Sequence, residues 1–148
     1  MQSEIIPRIM ITSAQRRRQI SPEIATQPTR ANEAMRGCLD RLTNHIPEER
    51  LAVRIQHQLL RIAQEAISNA VRHGKPSVVT VTLRWGAPHL TLRIKDNGSG
   101  ISKARPKKNE GIGLRSMRER AAQIGAKLVI QTAPGRGTRI VVTVPILL

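Results

Sequence analysis

Residues 59–74, LLRIAQEAISNAVRHG, carry the strongest structural signal in this chain of 148 residues. Apolar residues recur there at intervals of three and four, which is the spacing of one face of a helix. The members of this face are Leu59, Ile62, Ala63, Ala66, Ile67, Ala70 and Val71. We predict an amphipathic helix from about residue 48 to residue 73, with Gly74 as its stop and Pro76 directly beyond it.

Downstream of this helix the period of the pattern changes from 3.6 to two. Apolar residues alternate with polar ones over residues 78–85 and again over 90–95, so the two stretches predict an antiparallel hairpin. A second amphipathic helix is predicted at 113–124 and a second hairpin at 127–144. Helix, hairpin, helix and hairpin are typical of a two-layer α+β sandwich, in which helices cover one face of an antiparallel sheet.

The first third of the chain gives a weaker pattern. It contains Pro7, Pro22 and Pro28, a run of three arginines at 16–18 and a Ser/Thr/Gln-rich stretch. We expect residues 1–47 to be a partly disordered N-terminal arm, with one short strand or helix at most in residues 1–34 and a short helix at 32–43. Residues 48–148 are predicted to form the folded domain.

Composition excludes several classes of protein. Cys38 is the single cysteine, so an internal disulfide and a multi-cysteine zinc site are ruled out, and a reducing cytoplasm is expected. Trp85 is the single aromatic residue, which argues against folds that stack nucleic-acid bases on aromatic rings. No apolar run approaches the ~18 residues that a membrane-spanning helix needs, so we expect no membrane segment in this chain.

The charge is strongly basic and unevenly distributed. The chain carries a net charge of +15, and residues 76–148 hold 13 basic residues against 3 acidic ones. The second half therefore favours an anionic neighbour, for which nucleic acid, acidic lipid, an acidic protein or a polyphosphate would all serve. A basic surface without a dedicated partner is the remaining alternative, and charge alone does not choose among these.

A polar stripe runs beside the apolar face of the first helix. Its members, Glu65, Asn69, Arg72 and His73, fall within an arc of about 100° on a helix. The Asn69 oxygen is of the kind that Mg²⁺ accepts, and Glu65 can polarise a water or hydroxyl. Arg72 and His73 suit phosphate oxygens. The alternative is that the stripe is only the solvent-facing side of the helix.

Asp96 ends the second strand and shares the parity of the apolar residues before it, so its carboxylate is predicted to point toward the covered face. A carboxylate there needs a partner. Gly98 and Gly100 follow, and their lack of side chains lets the backbone pass close to a flat ligand. An Asp-Asn-Gly turn is common, so this signal is weak in isolation.

Gly111 and Gly113 directly precede the second helix. Glycines at a helix start leave backbone N–H groups free to cradle a phosphate at the positive end of the helix dipole. The spacing is neither a P-loop nor a complete dinucleotide fingerprint. Thr138, in the last strand, shares the inward parity of its apolar neighbours and adds a hydroxyl to the same face.

Taken in order, these motifs resemble the N, G1, G2 and G3 boxes of the Bergerat (GHKL) ATP-binding fold, which histidine kinases, DNA gyrase, Hsp90 and MutL share. The motifs are Glu65-x-x-x-Asn69 with Arg72-His73, Asp96-x-Gly98-x-Gly100, Gly111-x-Gly113-Leu114 and Gly137-Thr138. The resemblance covers about residues 48–148 and is greatest to sensor histidine kinases that are paired with LuxR-type response regulators. It implies a mixed, mostly antiparallel sheet with helices on one face.

The resemblance also implies roles. Asn69 would coordinate Mg²⁺ between the phosphates, with Glu65 beside it as a metal-water or general-base residue. Asp96 would accept a hydrogen bond from the adenine amino group. The remaining nucleotide-binding residues would be Arg72, His73, Gly98, Gly100, Gly111, Gly113, Leu114 and Thr138. Residues 101–110, which include Lys103, Arg105, Lys107 and Lys108, would form the ATP lid.

The chain departs from a complete kinase in one respect. The phosphoacceptor histidine of this group is normally followed by an acidic residue, and His45, His57, His73 and His89 all lack that context. Residues 1–47 are also too short for a complete dimerisation hairpin. We therefore expect the catalytic ATP-binding part of a histidine kinase, which needs a phosphoacceptor hairpin from elsewhere and serves a LuxR-type regulator indirectly. The alternative is a stand-alone switch protein of the anti-sigma-factor serine kinase type, and we do not expect nucleic-acid binding to be the main role of the chain.

Overall fold

The structure is a computed structural model that describes residues 7–15, 18–19, 23–44, 46–86, 88–100 and 111–146. The strands are β1 (Arg8–Gln15), β2 (Arg18–Gln19), β3 (Glu23–Ala25), β4 (Val78–Gly86), β5 (His89–Asp96), β6 (Lys127–Thr132) and β7 (Thr138–Pro145). The helices are α1 (Pro28–Thr43), α2 (Glu49–Asn69) and α3 (Ile112–Gln123), and a π-helical turn (Ala70–Gly74) extends α2.

The strands form one sheet in the order β2-β1-β4-β5-β7-β6, and β3 pairs with β1 beside β2. Strand β1 runs parallel to β4, whereas the other pairs are antiparallel. The two predicted hairpins are β4–β5 and β6–β7, and β7 inserts between β5 and β6. The prediction of a two-layer α+β sandwich with a mixed, mostly antiparallel sheet is therefore confirmed.

The core lies between the sheet and the helices. Alternate residues of the strands face inward and are buried, as the period of two predicts. From the helical layer, Leu59 and Ile62 of α2 and Met117 of α3 pack into the same cluster. None of the helices in the described segments is both long and apolar enough to cross a membrane. Burial on one side leaves the opposite face of the sheet polar.

The segment before residue 48 contains more regular structure than the sequence predicted. Strand β1 has 8 residues, with Ile9 and Ile11 buried, and α1 has 16 residues. Pro7 precedes β1 and Pro28 begins α1, so neither interrupts an element; proline is well tolerated at the first position of a helix. The division of the chain at residue 47 stays a prediction, although described residues on both sides of it share one hydrophobic core.

The end of the first predicted helix also differs from expectation. The α-helix gives way to the π-helical turn, and the residue in the left-handed conformation is Lys75, with φ of 45°, rather than Gly74. Gly74 instead lies in close contact with the loop after β5. Its carbonyl accepts a hydrogen bond from the Ser99 N–H at 3.0 Å. The predicted stop at Gly74 is therefore wrong by one residue.

Candidate functional site

Three members of the predicted polar stripe are in contact at the end of α2. The Arg72 guanidinium lies 3.4 Å from Asn69 Oδ1 and 3.7 Å from Glu65 Oε1. Successive turns of α2 and its π-helical extension bring these side chains to one side of the helix. His73 is exposed, and its carbonyl accepts a hydrogen bond from the Ser99 hydroxyl at 3.4 Å. The stripe thus presents a carboxylate, an amide oxygen and a guanidinium together.

The start of α3 lies against this stripe. A Cβ atom built on Gly113 would overlap Glu65 Oε1 and lie 3.0 Å from Asn69 Nδ2. Gly111 is the N-cap of α3, and within the described part of the chain no capping side chain occupies the first-turn N–H groups, which are of the kind that attracts an anion. Leu114 packs against the core and anchors this first turn. The structure therefore brings the predicted phosphate cradle and the predicted metal ligand together.

Asp96 is buried, with 6% of its surface exposed. Its Oδ1 accepts a hydrogen bond from the Gly98 N–H at 2.8 Å. Among the residues that the structure describes, Oδ2 has no hydrogen-bond donor and the carboxylate has no cation partner. Oδ2 is not among the fully buried side-chain oxygens of the described residues that lack a partner, so it stays accessible from outside the protein. Asp96 is therefore suited to a ligand that donates a hydrogen bond.

The loops around Asp96 are held by close backbone contacts. A Cβ on Gly98 would lie 2.6 Å from the Gly74 carbonyl oxygen, and one on Gly137 would overlap the Asp96 carbonyl oxygen. Gly100 lies against the carbonyl of Ala133 in the turn before β7. Larger residues at these positions would separate the end of β5 from its neighbours, so the predicted glycines shape the walls around Asp96.

Thr138 lies at the start of β7 on the inward-facing side of the sheet. The register that pairs Lys95 with Arg139 places Thr138 next to Asp96. Its hydroxyl shares a hydrogen bond of 3.1 Å with the hydroxyl of Thr132. The structure places this hydroxyl on the inward-facing side, as the parity predicts, and its role toward a ligand stays a prediction.

Sequence reasoning did not single out Asn97, which braces the site. Asn97 Oδ1 accepts hydrogen bonds from the N–H groups of Ser77 and Val78 at 2.9 and 3.0 Å, and Nδ2 donates to the Ser77 hydroxyl at 2.7 Å. These bonds join the start of β4 to the end of β5, where Asp96 lies. The one available signal was an Asn directly after a strand, and it does not reveal a partner 20 residues earlier in the chain.

The predicted lid, residues 101–110, lies outside the described residues, and so does its basic cluster of Lys103, Arg105, Lys107 and Lys108. Its assignment stays a prediction. The walls of the site that the structure describes are therefore α2 with its π-helical turn, the loop after β5, the start of α3 and the turn before β7.

The residues present fit a magnesium ion that is held mainly by a phosphorylated ligand. Within the described residues there is no group of three or more His, Cys, Asp and Glu side chains that would enclose a metal. Mg²⁺ usually keeps several waters and takes one or two protein oxygens together with substrate phosphates. Asn69 Oδ1 and the Glu65 carboxylate supply such oxygens directly beside the start of α3, which can lie against them because Gly113 has no Cβ.

Comparison with known proteins identifies this arrangement. The sequence profile described as "Histidine kinase-, DNA gyrase B-, and HSP90-like ATPase" matches residues 54–148. The chain belongs to this ATPase family. The match includes every residue of the site described above, and the fold is the one that the family implies.

The curated relatives that resemble this ATPase domain are sensor proteins. It is 42% identical over 106 residues to Sensor protein VraS of Staphylococcus saprophyticus, a match that covers 72% of this chain and 30% of the relative. It is 47% identical over 92 residues to Sensor protein VraS of Staphylococcus haemolyticus, covering 62% of this chain and 26% of the relative. The chain thus spans less than a third of the length of these relatives. The anti-sigma-factor alternative is not favoured.

Solved structures share the fold of this ATPase domain. The histidine kinase domain of the blue-light activated kinase EL346 from Erythrobacter litoralis aligns with 93% of this chain and 52% of that one, with a TM-score of 0.55 and 19% identity. The ATP binding domain of PrrB from Mycobacterium tuberculosis aligns with 63% of this chain and 70% of that one, with a TM-score of 0.53 and 25% identity. The chain thus has the fold of histidine kinase ATP-binding domains.

Proposed function

We propose that this domain binds Mg²⁺-ATP and transfers its γ-phosphoryl group to a histidine on a dimerisation hairpin. The observation that carries the proposal is the contact between the start of α3 and the pair Glu65 and Asn69. A helix N-terminus attracts phosphates, and the two side chains supply oxygens for a metal. Phosphoryl transfer depends mainly on positioning the phosphate and neutralising its charge, and this contact brings both elements together.

Asp96 is proposed to read the adenine base. Its Oδ1 is held by the Gly98 N–H, so the side chain cannot rotate freely, and Oδ2 remains as an accessible acceptor on an otherwise buried residue. The exocyclic amino group of adenine donates a hydrogen bond, whereas guanine presents a carbonyl oxygen at the equivalent position. The site is therefore expected to prefer ATP to GTP. Thr138 beside Asp96 would add a hydroxyl for a bridging water.

Asn69 is proposed as the protein ligand of Mg²⁺, with Glu65 orienting a metal-bound water or acting as the general base. Asn69 and Glu65 would hold Mg²⁺ beside the phosphates, where the ion would supply positive charge against theirs. Arg72 contacts both side chains and, together with His73, is placed to meet phosphate oxygens. The first-turn N–H groups after Gly111 and Gly113 would hold the rest of the triphosphate.

The acceptor is proposed to be a histidine from another segment or chain. The sequence contexts of His45, His57, His73 and His89 lack the acidic residue that follows a phosphoacceptor in this kinase group. A LuxR-type response regulator would then receive the phosphoryl group from that hairpin. We also propose a cytoplasmic location, because the domain requires ATP and carries a single free, buried cysteine, Cys38.

The function is tested by mixing the chain with γ-labelled ATP, Mg²⁺ and the separately produced dimerisation hairpin of a related sensor kinase. The label should appear on the hairpin in an acid-labile, base-stable form, as expected of phosphohistidine. It should appear slowly, because no tether raises the effective concentration, and Asn69→Ala should abolish it. Acid-stable label on the chain alone would contradict the proposal and indicate serine or threonine chemistry.

A further inference from the structure

The face of the sheet opposite the helices is strongly basic. Six cations point outward from five strands, whereas none of the outward-pointing residues of the described strands is acidic. We call this surface the basic face and define it by Arg8, Arg84, Arg93, Lys95, Lys127 and Arg139. Neither ion pair found among the described residues involves these cations. Neither the nucleotide site nor the core accounts for this concentration of charge.

The register places several of these cations close together. Lys95 of β5 is directly opposite Arg139 of β7, and Arg93 lies diagonally across from Arg139. Directly opposed side chains have Cβ atoms about 5 Å apart and diagonal ones about 7–8 Å, and like charges at such distances destabilise a sheet. An anionic partner would remove this repulsion. Threonine hydroxyls between the cations, at positions 12, 80, 82, 91 and 143, add donors for phosphate oxygens.

Exposed apolar side chains flank the charge on both sides. Ile24 of β3, paired with Met10, is 61% exposed at one edge of the sheet, and Val129 of β6 is 37% exposed at the other edge. Both point to the same side as the cations. A phosphodiester backbone has no apolar surface against which such side chains could be buried, whereas the boundary between lipid headgroups and acyl chains buries them. The combination favours lipid over nucleic acid.

We propose that the basic face binds the surface of a bilayer that contains anionic phospholipids. The cations and hydroxyls would contact lipid phosphates, while Ile24 and Val129 would enter the headgroup region. Nucleic acid fits less well, since base stacking needs aromatic side chains and Trp85, the single aromatic residue, is buried on the opposite face. This surface is separate from the nucleotide site, and the proposal does not depend on the kinase function.

The test is cosedimentation of the purified chain with vesicles of phosphatidylcholine alone and of phosphatidylcholine mixed with phosphatidylglycerol. Binding is expected for the mixed vesicles, and it should disappear in about 1 M salt, where charges are screened within about 3 Å. Each basic residue near such a surface contributes about fivefold in affinity. The double substitution Arg84→Gln and Arg93→Gln should therefore weaken vesicle binding about 25-fold. The double substitution Arg8→Gln and Lys127→Gln tests the same expectation with two other cations of the basic face.

The matched control is Arg50→Gln with Arg61→Gln, which removes the same charge from exposed positions on α2. This control should weaken binding by no more than about fivefold. Ile24→Ser, which changes no charge, should weaken vesicle binding several-fold and leave binding to a short random-sequence DNA duplex unchanged. Equal losses of vesicle binding in the Arg84/Arg93 variant and in the Arg50/Arg61 control would overturn the proposal. So would a duplex that binds more tightly than the anionic vesicles at the same salt concentration.

Discussion

The start of α3 lies directly against the Glu65 carboxylate, so closely that a Cβ atom on Gly113 would overlap Glu65 Oε1. This contact joins two motifs that are 48 residues apart in the sequence. It places a helix N-terminus, which attracts anions, beside two side chains that offer oxygens to a metal. Phosphate and metal binding are therefore expected to depend on each other, and a side chain at residue 113 should disturb both.

The first prediction compares two glycines on either side of Ile112. Gly113→Ala should weaken Mg²⁺-ATP binding roughly tenfold or more, because overpacking costs about 1–3 kcal/mol and the displaced groups are the binding groups. Gly111→Ala is the matched comparison: it keeps the backbone N–H groups that are proposed to face the phosphates, a Cβ there meets no atom of the described residues within 4 Å, and φ is −58°. Calorimetric titration of both variants checks this, and equal affinities would contradict the proposed contact.

The second prediction concerns base selectivity. Asp96→Asn keeps an oxygen for the Gly98 N–H but places an NH₂ group where the second acceptor was. Leaving a buried polar group unpaired costs about 1–3 kcal/mol, so ATP affinity should fall roughly 10- to 100-fold. Asp40→Asn, which removes a carboxylate from an exposed position of α1, should leave affinity unchanged. Competition between ATP and GTP for the wild-type chain completes the test: equal binding would refute the adenine role.

Most of the site could be predicted from the sequence because its residues belong to periodic elements. The inward parity of β5 predicted that Asp96 is buried, and the helical period placed Glu65 and Asn69 on one side of α2. Neither pattern specifies which loops meet. The contacts of Gly98 with Gly74 and of Gly137 with Asp96 depend on the strand order β4-β5-β7, which local periodicity does not determine.

The N-terminal segment shows the opposite case. Prolines in a sequence usually indicate the interruption of a helix or strand, yet Pro7 lies just before β1 and Pro28 begins α1. The alternation that buries Ile9 and Ile11 is too short to predict a strand from the sequence. Strand β1 is stabilised by its parallel pairing with β4, which lies far away in the sequence. Tertiary pairing of this kind overrides local signals.

The third prediction tests the brace formed by Asn97. Asn97→Ala removes the acceptor for two backbone N–H groups and the donor to the Ser77 hydroxyl. The free energy of unfolding should fall by about 1–3 kcal/mol, measured by urea denaturation. Ser77→Ala, which removes one of the three bonds, should cost less. If both substitutions cost the same, the backbone contacts of Asn97 do not support the end of β5.

The fourth prediction concerns Ser13, whose buried hydroxyl has no hydrogen-bond partner among the described residues. Ser13→Ala replaces this polar group with hydrogen in an otherwise apolar region between β1 and the helices. The free energy of unfolding should rise by about 1 kcal/mol, because the cost of burying an unpaired hydroxyl is removed. Thermal or urea unfolding of the variant measures this change; a loss of stability would show that the hydroxyl is satisfied in solution.

The central claim, that Asn69 links Mg²⁺ to a bound nucleotide, is tested most directly by calorimetric titration of ATP with and without Mg²⁺. The wild-type chain should bind ATP more tightly when Mg²⁺ is present. Asn69→Ala should bind ATP with one affinity under both conditions, because the protein oxygen that couples the metal to the nucleotide is gone. A wild-type chain that binds no ATP, or an Asn69→Ala variant whose affinity rises with Mg²⁺ as in the wild type, would contradict the account.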